Sequence, residues 1–408
     1  MTNEEYIITN READVRSLAL KKVPEGVNAL WCLQQIEGYQ IAKKKLPHWA
    51  DVKDLWYPPR LSMEQCSSEQ AAEYKQHIVQ RLAAQCRHSQ FTDITGGFGV
   101  DFSYMAKGFD KAIYVEQQEQ LCLAALHNMP LLGIPNAVVR NMDSATYLEE
   151  ETARREGQDT ANDVSIIYTD PARRSVSGRK TIAIEDCTPN IAELQHTILS
   201  IATYAVIKLS PMLDITQALR TLKGVSEIHI VSLKGECKEL LFVLSSKAGE
   251  NDGITCHCAN LGTRDSLFRC TYSTNSAPQL LSADANMTGM ALYEPNASIM
   301  KAGVQDKFAT AYGLQKLHPM SHLYVSHNTA PDDIPARRFR ITAVSDFSKS
   351  GIKEILGSAR QGNLTVRNFP STVAELRKRL KIKEGGSEYL FATTLSNGKH
   401  ALIKCCAL

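Results

Sequence analysis

From about residue 76 to residue 250, short β-rich segments alternate with helical segments, and this alternation restricts the possible folds more than any other feature of the sequence. The β-rich segments include "KAIYVE", "DVSIIYTD" and "YAVIKLS". Such alternation indicates βαβ units and a largely parallel sheet that helices cover on both faces. Two further strands, "EIHIVSL" and "LLFVLS", are separated only by "KGECKE", which predicts a hairpin that completes the sheet. We therefore predict an α/β fold with a Rossmann-like sheet of seven strands.

The segments on either side of this region differ from it. The 408 residues exceed what one hydrophobic core usually supports, so we expect more than one domain. Residues 1–75 have helical spacing interrupted by "PHW" and "YPP", which predicts a helical N-terminal cap before an α/β domain at 76–275. After residue 275 the alternation ends, and we predict two small α+β units, at 276–322 and 323–408.

The composition is that of an ordinary soluble globular protein. Apolar residues make up 43% of the chain and charged residues 22%, which argues against disordered and fibrous proteins. No apolar run approaches the 18 residues of a membrane span, and the first residues lack a basic region followed by an apolar core. We therefore expect a cytoplasmic protein without a membrane partner.

The eleven cysteines are spread along the chain without a regular spacing, which favours reduced thiols over disulfides. The nearest approach to a metal-binding motif is "TCHCAN", which contains Cys256, His257 and Cys258. It lacks the two-residue spacer and the second ligand pair of a zinc site, and it alternates like a strand. We therefore predict that the protein has no metal site.

A glycine-rich turn, "FTDITGGFGVDF", follows the first predicted strand and opens a helix. At such a turn the backbone can approach a ligand closely and direct free N–H groups toward it. Gly96, Gly97 and Gly99 would form the turn, and Asp93 at the strand end could accept hydrogen bonds from a ligand ammonium group. A purely structural turn is the alternative, because doubly wound folds require such turns in any case.

Acidic residues also follow the next two strands. Glu116 ends the second strand, where a carboxylate can bind both hydroxyls of a ribose. Asp143 follows the third strand and could accept a hydrogen bond from an adenine amino group. A dinucleotide-binding enzyme shares these features, but the G-x-G-x-x-G motif is missing and Asp93 would face a pyrophosphate unfavourably. The pattern therefore favours S-adenosylmethionine as the cofactor.

The motif "DITGGFGVD" resembles that of class I S-adenosylmethionine-dependent methyltransferases, including the bacterial 16S rRNA guanine-N2 methyltransferase. In this sequence Thr95 replaces the first glycine of the broad consensus. The resemblance implies contacts with the methionine end of the cofactor near Asp93, with its ribose at Glu116 and with its adenine at Asp143. The full set of residues implied to bind the cofactor is Asp93, Thr95, Gly96, Gly97, Gly99, Asp101, Glu116, Gln117, Asp143 and Ser144.

Over nearly its whole length the chain resembles a bacterial family of methyltransferases with a C-terminal THUMP-like domain. The segments that carry this resemblance include "LSMEQCSSEQAAEYK", "TDPARR", "IKLSPMLDI", "YEPNASIMKAG" and "VRNFP". It implies that residues 276–322 form a ferredoxin-like unit and that residues 323–408 form a THUMP-like RNA-binding domain. The implied partner is structured RNA, either tRNA or rRNA.

The loop "TDPARR" follows the fourth strand, where a methyltransferase would hold the atom that it modifies. Asp170 and the carbonyl of Pro171 could accept the hydrogens of an exocyclic amine, and Arg173 could stack on a base or bind a phosphate. Lys208, after the fifth strand, would face the same cleft and contact the substrate. "DPAR" is also similar to the loop of 5-methyluridine methyltransferases, which use a cysteine nucleophile; Cys187 is the nearby candidate for that role.

The C-terminal fifth of the chain is strongly basic, with twelve Lys or Arg against four acids between Arg337 and Glu384. Cations near aromatic residues are typical of surfaces that follow an RNA backbone, although a charged run can also be a solvated face. The predicted RNA contacts, besides Lys208, are Arg337, Arg338, Arg340, Arg367, Arg377 and Arg379.

These observations favour a methyltransferase that modifies a base nitrogen of structured RNA. Two alternatives stay open at this point. The same catalytic domain could act on a small molecule or on a protein side chain, or the chain could be a non-catalytic RNA-binding protein with a degenerate cofactor fold.

Overall fold

The computed structural model describes nine stretches of the chain: 1–86, 89–155, 164–173, 184–249, 253–262, 265–273, 277–282, 284–328 and 331–408. The chain divides into two compact units. The first consists of Met1–Ile228 and Glu239–Ile254, and the second of His229–Lys238 and Thr255–Leu408.

The N-terminal part of the first unit is helical, as predicted. Its helices are α1 (Asn3–Asn10), α2 (Val15–Ala19), α3 (Ala29–Lys45), α4 (Pro47–Asp51), α5 (Arg60–Gln65) and α6 (Glu69–Ala83). Tyr6, Leu18 and Ile36 belong to a small core that joins α1, α2 and α3. The boundary predicted at residue 75 falls inside α6, whose N-cap is Ser68.

The elements that follow begin with β1 (Gln90–Asp93), α7 (Val100–Met105), β2 (Lys111–Glu116), α8 (Glu119–Leu131), β3 (Ala137–Asn141), α9 (Ser144–Arg155) and β4 (Val164–Thr169). They continue with β5 (Ala172–Arg173), a 3-10 helix (Ile184–Asp186), β6 (Cys187–Thr188), α10 (Ile191–Ile201), β7 (Ala202–Leu209), α11 (Ile215–Thr221), β8 (Val225–Leu233), β9 (Glu236–Ser245), β10 (Thr255–Leu261) and β11 (Ser266–Thr271). The large sheet has the strand order β11-β10-β8-β9-β7-β4-β1-β2-β3.

The seven predicted strands occupy the contiguous part β3-β2-β1-β4-β7-β9-β8 of this sheet. Strands β1, β2, β3, β4 and β7 pair in parallel, whereas β9 pairs antiparallel with β7. The predicted α/β fold with a terminal hairpin is therefore confirmed. Within the described stretches the sheet nevertheless has nine strands rather than seven, because β10 pairs with the otherwise open edge at β8 and β11 pairs antiparallel with β10.

The position of β1 determines where a ligand can bind. From β1 the chain continues on one side to β2 and β3, and β4 lies on the other side. The helices after β1 and β4 consequently diverge, which leaves a crevice outside the carboxyl ends of these two strands. The functional site is therefore expected at the carboxyl ends of β1 and β4.

The second unit contains another sheet, of seven strands, in the order β13-β14-β12-β15-β18-β17-β16. Its elements are β12 (Ala291–Pro295), α12 (Ala297–Ala302), α13 (Gln305–Ala311), β13 (Gln315–Lys316), β14 (Tyr324–Ser326), β15 (Ala336–Asp346), α14 (Lys349–Leu356), β16 (Asn363–Arg367), α15 (Val373–Leu380), β17 (Glu388–Thr394) and β18 (His400–Ala407). Alternating residues of β17, such as Leu390 and Phe391, enter different hydrophobic clusters, so both faces of the sheet are covered.

Two contacts show that this second sheet is strongly curved. Asn368, just after the edge strand β16, lies 2.9 Å from Nδ1 of His318, which follows β13 at the other edge. Arg367 at the end of β16 likewise pairs with Glu294 in β12. Among the helices of the described stretches, none is long and apolar enough to cross a membrane.

Candidate active site

The glycine-rich turn lies between β1 and α7, and its geometry requires glycine. Gly97 and Gly99 have φ angles of +56° and +85°, which residues with a Cβ rarely adopt. A Cβ on Gly96 would lie 2.3 Å from the ring of Tyr114, which is fully buried on β2. At Gly97, by contrast, the nearest contact of such a Cβ would be the Thr95 carbonyl oxygen at 3.7 Å, which is an ordinary van der Waals contact.

Glu116 stabilises this turn. One of its carboxylate oxygens accepts a hydrogen bond from the Gly97 N–H at 2.9 Å, and the other accepts one from the Gln118 N–H at 2.8 Å. The side chain is thereby fixed at the end of β2, and the exposed Gln117 follows it directly. Each carboxylate oxygen can accept a second hydrogen bond, so Glu116 can still receive two ligand hydroxyls.

Asp93 ends β1 and is almost fully buried, with 1% of its surface exposed. Its Oδ1 accepts hydrogen bonds from the backbone N–H of Thr95 at 2.9 Å and from the Thr95 hydroxyl at 3.3 Å. Burial, with a smaller contribution from the negative charges of Asp101 and Asp170, raises the pKa of Asp93 well above its ordinary value. A cationic ligand group beside this carboxyl would stabilise its ionised form.

Thr95 joins the turn to the loop after β4. Its hydroxyl oxygen accepts a hydrogen bond from the backbone N–H of Asp170 at 2.6 Å. A glycine at position 95 could not make this bond. The departure of Thr95 from the broad consensus thus provides a direct connection between the two loops.

Asp143 and Ser144 lie at the start of α9. Asp143 accepts hydrogen bonds from the N–H groups of Ala145 and Thr146, both at 3.0 Å, and from the Thr146 hydroxyl at 2.7 Å. These bonds lower the pKa of Asp143, with the Thr146 hydroxyl making the largest contribution. The Ser144 hydroxyl donates to the carbonyl of Ile94 at 2.6 Å, which attaches α9 to the turn after β1. The structure therefore assigns Asp143 a capping role that its position after β3 did not suggest.

This capping role leads to a prediction about stability. Replacing Asp143 with alanine should lower the free energy of unfolding by about 0.5–2 kcal/mol, because the first N–H groups of α9 lose their acceptor. Asp143→Asn should retain most of the stability, since an amide oxygen can cap in the same way. Urea denaturation of the two variants tests this, and equal losses for both would contradict it.

The loop after β4 carries the predicted catalytic residues. Asp170 has 41% of its side chain exposed, whereas Pro171 is buried. The backbone of Ala172 and Arg173 pairs antiparallel with β6, which places Arg173 opposite Cys187. The side chain of Arg173 lies outside the described part of the structure. Cys187 is buried, and its proposed reactivity stays a prediction.

A buried network of charges lies behind this loop. Lys75, on α6, is fully buried and contacts Asp101 at 3.1 Å and Glu239 at 2.7 Å. Lys208, on β7, contacts Asp170 at 2.7 Å and Asp101 at 3.4 Å. Asp101 thus bridges the two lysines, whereas the sequence predicts a cofactor contact for it.

Two hydroxyl groups complete the network. The Ser67 hydroxyl accepts from Lys75 at 2.9 Å and donates to Asp101 at 2.9 Å, and the Tyr168 hydroxyl donates to Asp101 at 2.7 Å. Burial alone would raise the pKa of Asp101, but the charges of Lys75 and Lys208, aided by these hydroxyls, hold it well below its ordinary value. Asp101 therefore remains ionised within the protein.

Four residues of this network are not among those predicted from the sequence: Ser67, Lys75, Tyr168 and Glu239. A signal for Lys75 was present, because it shares one helical face with Ala71, Ile78 and Val79, all of which are buried. A lysine within an apolar stripe indicates a buried partner. No comparable local signal marked Glu239, its partner on β9.

The basic residues predicted to bind RNA lie in the second unit, apart from Lys208. Arg337 and Arg367 pair with the same buried carboxylate of Glu294, at 2.9 and 2.6 Å, and about half of each arginine side chain is exposed. Arg337 also lies over the ring of Phe339, 5.0 Å from its centroid. These two arginines form one exposed cationic pair.

The remaining four arginines are dispersed and have their own partners. Arg338 pairs with Asp332 at 2.7 Å and is only 11% exposed, and Arg377 is 18% exposed and lies 3.4 Å from Glu384. Arg340 donates to the carbonyl of Gly289 at 2.9 Å, and Arg379 lies over the ring of Phe347 at 4.4 Å. Each of these four arginines thus makes a contact within the second unit, and their role in RNA binding stays a prediction.

Comparison with known proteins identifies domains at the C-terminus. Residues 292–333 match the family described as a ferredoxin-like domain, and residues 336–407 match the family described as THUMP domain-like. Only residues 334–335 lie between the two matched domains, whereas the sequence predicts a boundary between residues 322 and 323. No curated protein matches the chain.

Matches to solved structures cover nearly the whole chain or about half of it. The crystal structure of a "putative methyltransferase" from Porphyromonas gingivalis W83 has 30% sequence identity and a TM-score of 0.82, and the match covers 99% of this chain and 97% of the other. A SAM-dependent methyltransferase from Agrobacterium tumefaciens has 15% identity and a TM-score of 0.32, with 44% and 62% covered. An O-methyltransferase from Bacillus cereus in complex with S-adenosylhomocysteine has 9% identity and a TM-score of 0.35, with 52% and 98% covered.

Only the first of these similarities covers both units at a level that defines a family. Together with the two domain matches, it agrees with the strand order of the large sheet and with the motifs of the sequence. The chain therefore belongs to the family of class I S-adenosylmethionine-dependent methyltransferases with a ferredoxin-like domain and a C-terminal THUMP-like domain.

Proposed function

We propose that the protein transfers a methyl group from S-adenosylmethionine to a base nitrogen of structured RNA, either tRNA or rRNA. The main support is the position of Asp170. Its exposed carboxylate lies at the crevice between β1 and β4 and is anchored to the glycine-rich turn through the Thr95 hydroxyl. An acceptor for the substrate amine and the proposed cofactor site are thereby connected.

The residues at the ends of β1 and β2 suit this cofactor. Asp93 is a buried carboxyl whose ionised form a nearby cation would stabilise, and the methionine ammonium group would supply one. Glu116 is fixed at the strand end with further acceptor capacity for the two ribose hydroxyls. When bound, S-adenosylmethionine supplies an electrophilic methyl group.

Asp170 and Pro171 would orient the substrate. The Asp170 carboxylate and the Pro171 carbonyl would accept the two amine hydrogens, so that the nitrogen lone pair faces the methyl group. Arg173 would stack on the base or bind its phosphate. RNA is favoured as the substrate because the C-terminal domain is THUMP-like and presents the exposed cationic pair Arg337 and Arg367.

The proposed cofactor site predicts the effect of two substitutions on affinity. Glu116→Ala should weaken the binding of S-adenosylhomocysteine by tenfold or more, about 1.4 kcal/mol, because the ribose hydroxyls lose their acceptor. Asp93→Asn should have a comparable effect, because the ammonium group loses its charge partner. Glu119→Ala, which removes an exposed carboxylate three residues after Glu116, should leave the affinity unchanged.

The raised pKa of Asp93 adds a dependence on pH. Because a bound ammonium group favours the ionised carboxylate, cofactor binding should release a proton. The affinity should therefore rise with pH until the pH exceeds the pKa of Asp93 in the free protein. Calorimetric titrations in buffers of different ionisation enthalpy measure this proton release. Release that persists unchanged in Asp93→Asn would contradict the assignment.

The substrate assignment requires a labelling experiment. RNA from cells that lack the protein should accept tritiated methyl groups from S-adenosylmethionine in the presence of the purified protein, and digestion should locate the label on a base. Label found only in protein or in small molecules would overturn the assignment to RNA. RNA binding without any binding of S-adenosylhomocysteine would instead indicate a non-catalytic RNA-binding protein.

A further inference from the structure

Lys208 lies too deep in the protein to serve mainly as a substrate contact. Its side chain is 13% exposed, and its ammonium group contacts Asp170 at 2.7 Å, Ser67 at 3.1 Å and Asp101 at 3.4 Å. An ammonium group has three hydrogens to donate, and these three contacts use them. The sequence predicts that Lys208 contacts the substrate, but in the structure its ammonium group contacts side chains of the protein.

We propose that Lys208 is a positioning residue that holds the carboxylate of Asp170 in place as a hydrogen-bond acceptor for the substrate amine. This inference rests on the proposed function and adds a residue to its site. Lys208 acts through Asp170 and does not itself touch the reacting atoms.

The geometry fixes Asp170 at two points. Its backbone N–H is bonded to the Thr95 hydroxyl at 2.6 Å, and its Oδ2 accepts from Lys208 at 2.7 Å. Among the described residues, the side-chain contacts of Asp170 use Oδ2, so Oδ1 remains to receive a substrate hydrogen. A rotation of the carboxylate would break the contact with Lys208.

The charge of Lys208 is maintained by its surroundings. Burial alone would lower the pKa of Lys208, but the negative charges of Asp170, Asp101 and Glu239 raise it well above its ordinary value. The titratable groups near this pair are Asp93 on β1, Asp101 on α7, Tyr168 on β4, Lys75 on α6 and Glu239 on β9.

A neutral amine needs a positioned acceptor for its hydrogens. It attacks the methyl carbon with its own lone pair, the carbon–sulfur bond breaks, and the electron pair remains on sulfur. The nitrogen, now positively charged, then releases its proton to water. Asp170 only has to orient the amine.

The test compares Lys208→Met, Asp170→Asn and a matched control, Ser67→Ala. The control removes another partner of Lys208 but retains the contact between Lys208 and Asp170. In single-turnover methyl transfer to RNA, Lys208→Met should be at least tenfold slower than the wild type but should cause little further loss in the Asp170→Asn background, because Lys208 acts through that carboxylate. The effect of Ser67→Ala should be the same in both backgrounds.

Two results would overturn the proposal. One is an equal loss of activity from Lys208→Met with and without the Asp170 carboxylate, which indicates a purely structural role. The other is label on ribose hydroxyls rather than on base amines.

A second measurement does not depend on activity. In denaturation experiments, the effects of Lys208→Met and Asp170→Asn should not add, and the double variant should be more stable than the sum of the single losses predicts. Additive losses would contradict the coupling between Lys208 and Asp170 even if the RNA proposal holds. If the wild type transfers no methyl group, the proposed function fails. The denaturation measurement still shows whether Lys208 and Asp170 are energetically coupled.

Discussion

Replacing Lys75 with methionine is expected to lower the free energy of unfolding by about 3–5 kcal/mol. Lys75 is fully buried between Asp101 and Glu239, so its removal leaves two carboxylates in the interior without their main counter-charge. The double substitution Lys75→Met with Glu239→Gln should recover part of the loss, because it removes one of the unpaired charges. Urea denaturation of the wild type, the single variant and the double variant gives the free energy of unfolding of each.

The matched control is Lys43→Met. Lys43 pairs with Glu12 at 2.7 Å, the same distance as Lys75 and Glu239, but more than half of each side chain is exposed. Water screens such a pair, so this variant should have nearly wild-type stability. Equal losses in the two variants would contradict the view that burial gives the Lys75 contacts their strength.

The same network makes a contribution that depends on pH. The pKa of Asp101 is held below its ordinary value, chiefly because the charges of Lys75 and Lys208 outweigh burial. The resulting stability is fully present above the unfolded-state pKa of about 4 and is lost as the pH falls through the folded-state value. Lys75→Met should therefore lose less stability than the wild type when the pH is lowered below about 4.

Asp170→Ala is expected to lower the rate of methyl transfer by about 100-fold or more, within the range attributed to a positioned acid–base or acceptor group. The substitution removes the acceptor that orients the amine but leaves Asp93 and Glu116 in place. The affinity for S-adenosylhomocysteine should therefore change little. Single-turnover rates at saturating cofactor, with RNA from cells that lack the protein, separate the two effects.

Asp186→Ala is the control for this experiment. Asp186 is an exposed carboxylate in the short 3-10 helix that precedes β6, so its removal changes the local charge equally without touching the proposed acceptor. Its rate should remain that of the wild type. An unchanged rate in Asp170→Ala would refute the proposed role of the loop after β4.

The central sheet could be predicted because its signals are local. Each βαβ unit contains its own apolar strand, turn and helix, and the glycine-rich turn marks the end of β1. The extension by β10 and β11 was not predicted, since which edge a strand joins depends on distant residues. Cys256 pairs with Cys270 in the β10–β11 ladder, but nothing in either segment specifies that β10 then pairs with β8.

The site shows the same division between local and distant information. The segment "DSAT" at residues 143–146 contains an aspartate three residues before a threonine, a pattern that could have indicated the helix cap formed by Asp143. Lys75 and Glu239, which form an ion pair, are 164 residues apart in the sequence, and no local sequence pattern indicates this pairing. The pairing of Arg337 with Glu294 likewise converts an expected free cation into half of an ion pair.

The most direct test of the cofactor site is a calorimetric titration of S-adenosylhomocysteine into the purified full-length protein. We expect one site per chain with micromolar affinity, which Glu116→Ala and Asp93→Asn each weaken by tenfold or more while Glu119→Ala does not. Absence of binding to a sample shown to be folded would contradict the assignment of the carboxyl ends of β1 and β2 as a cofactor site.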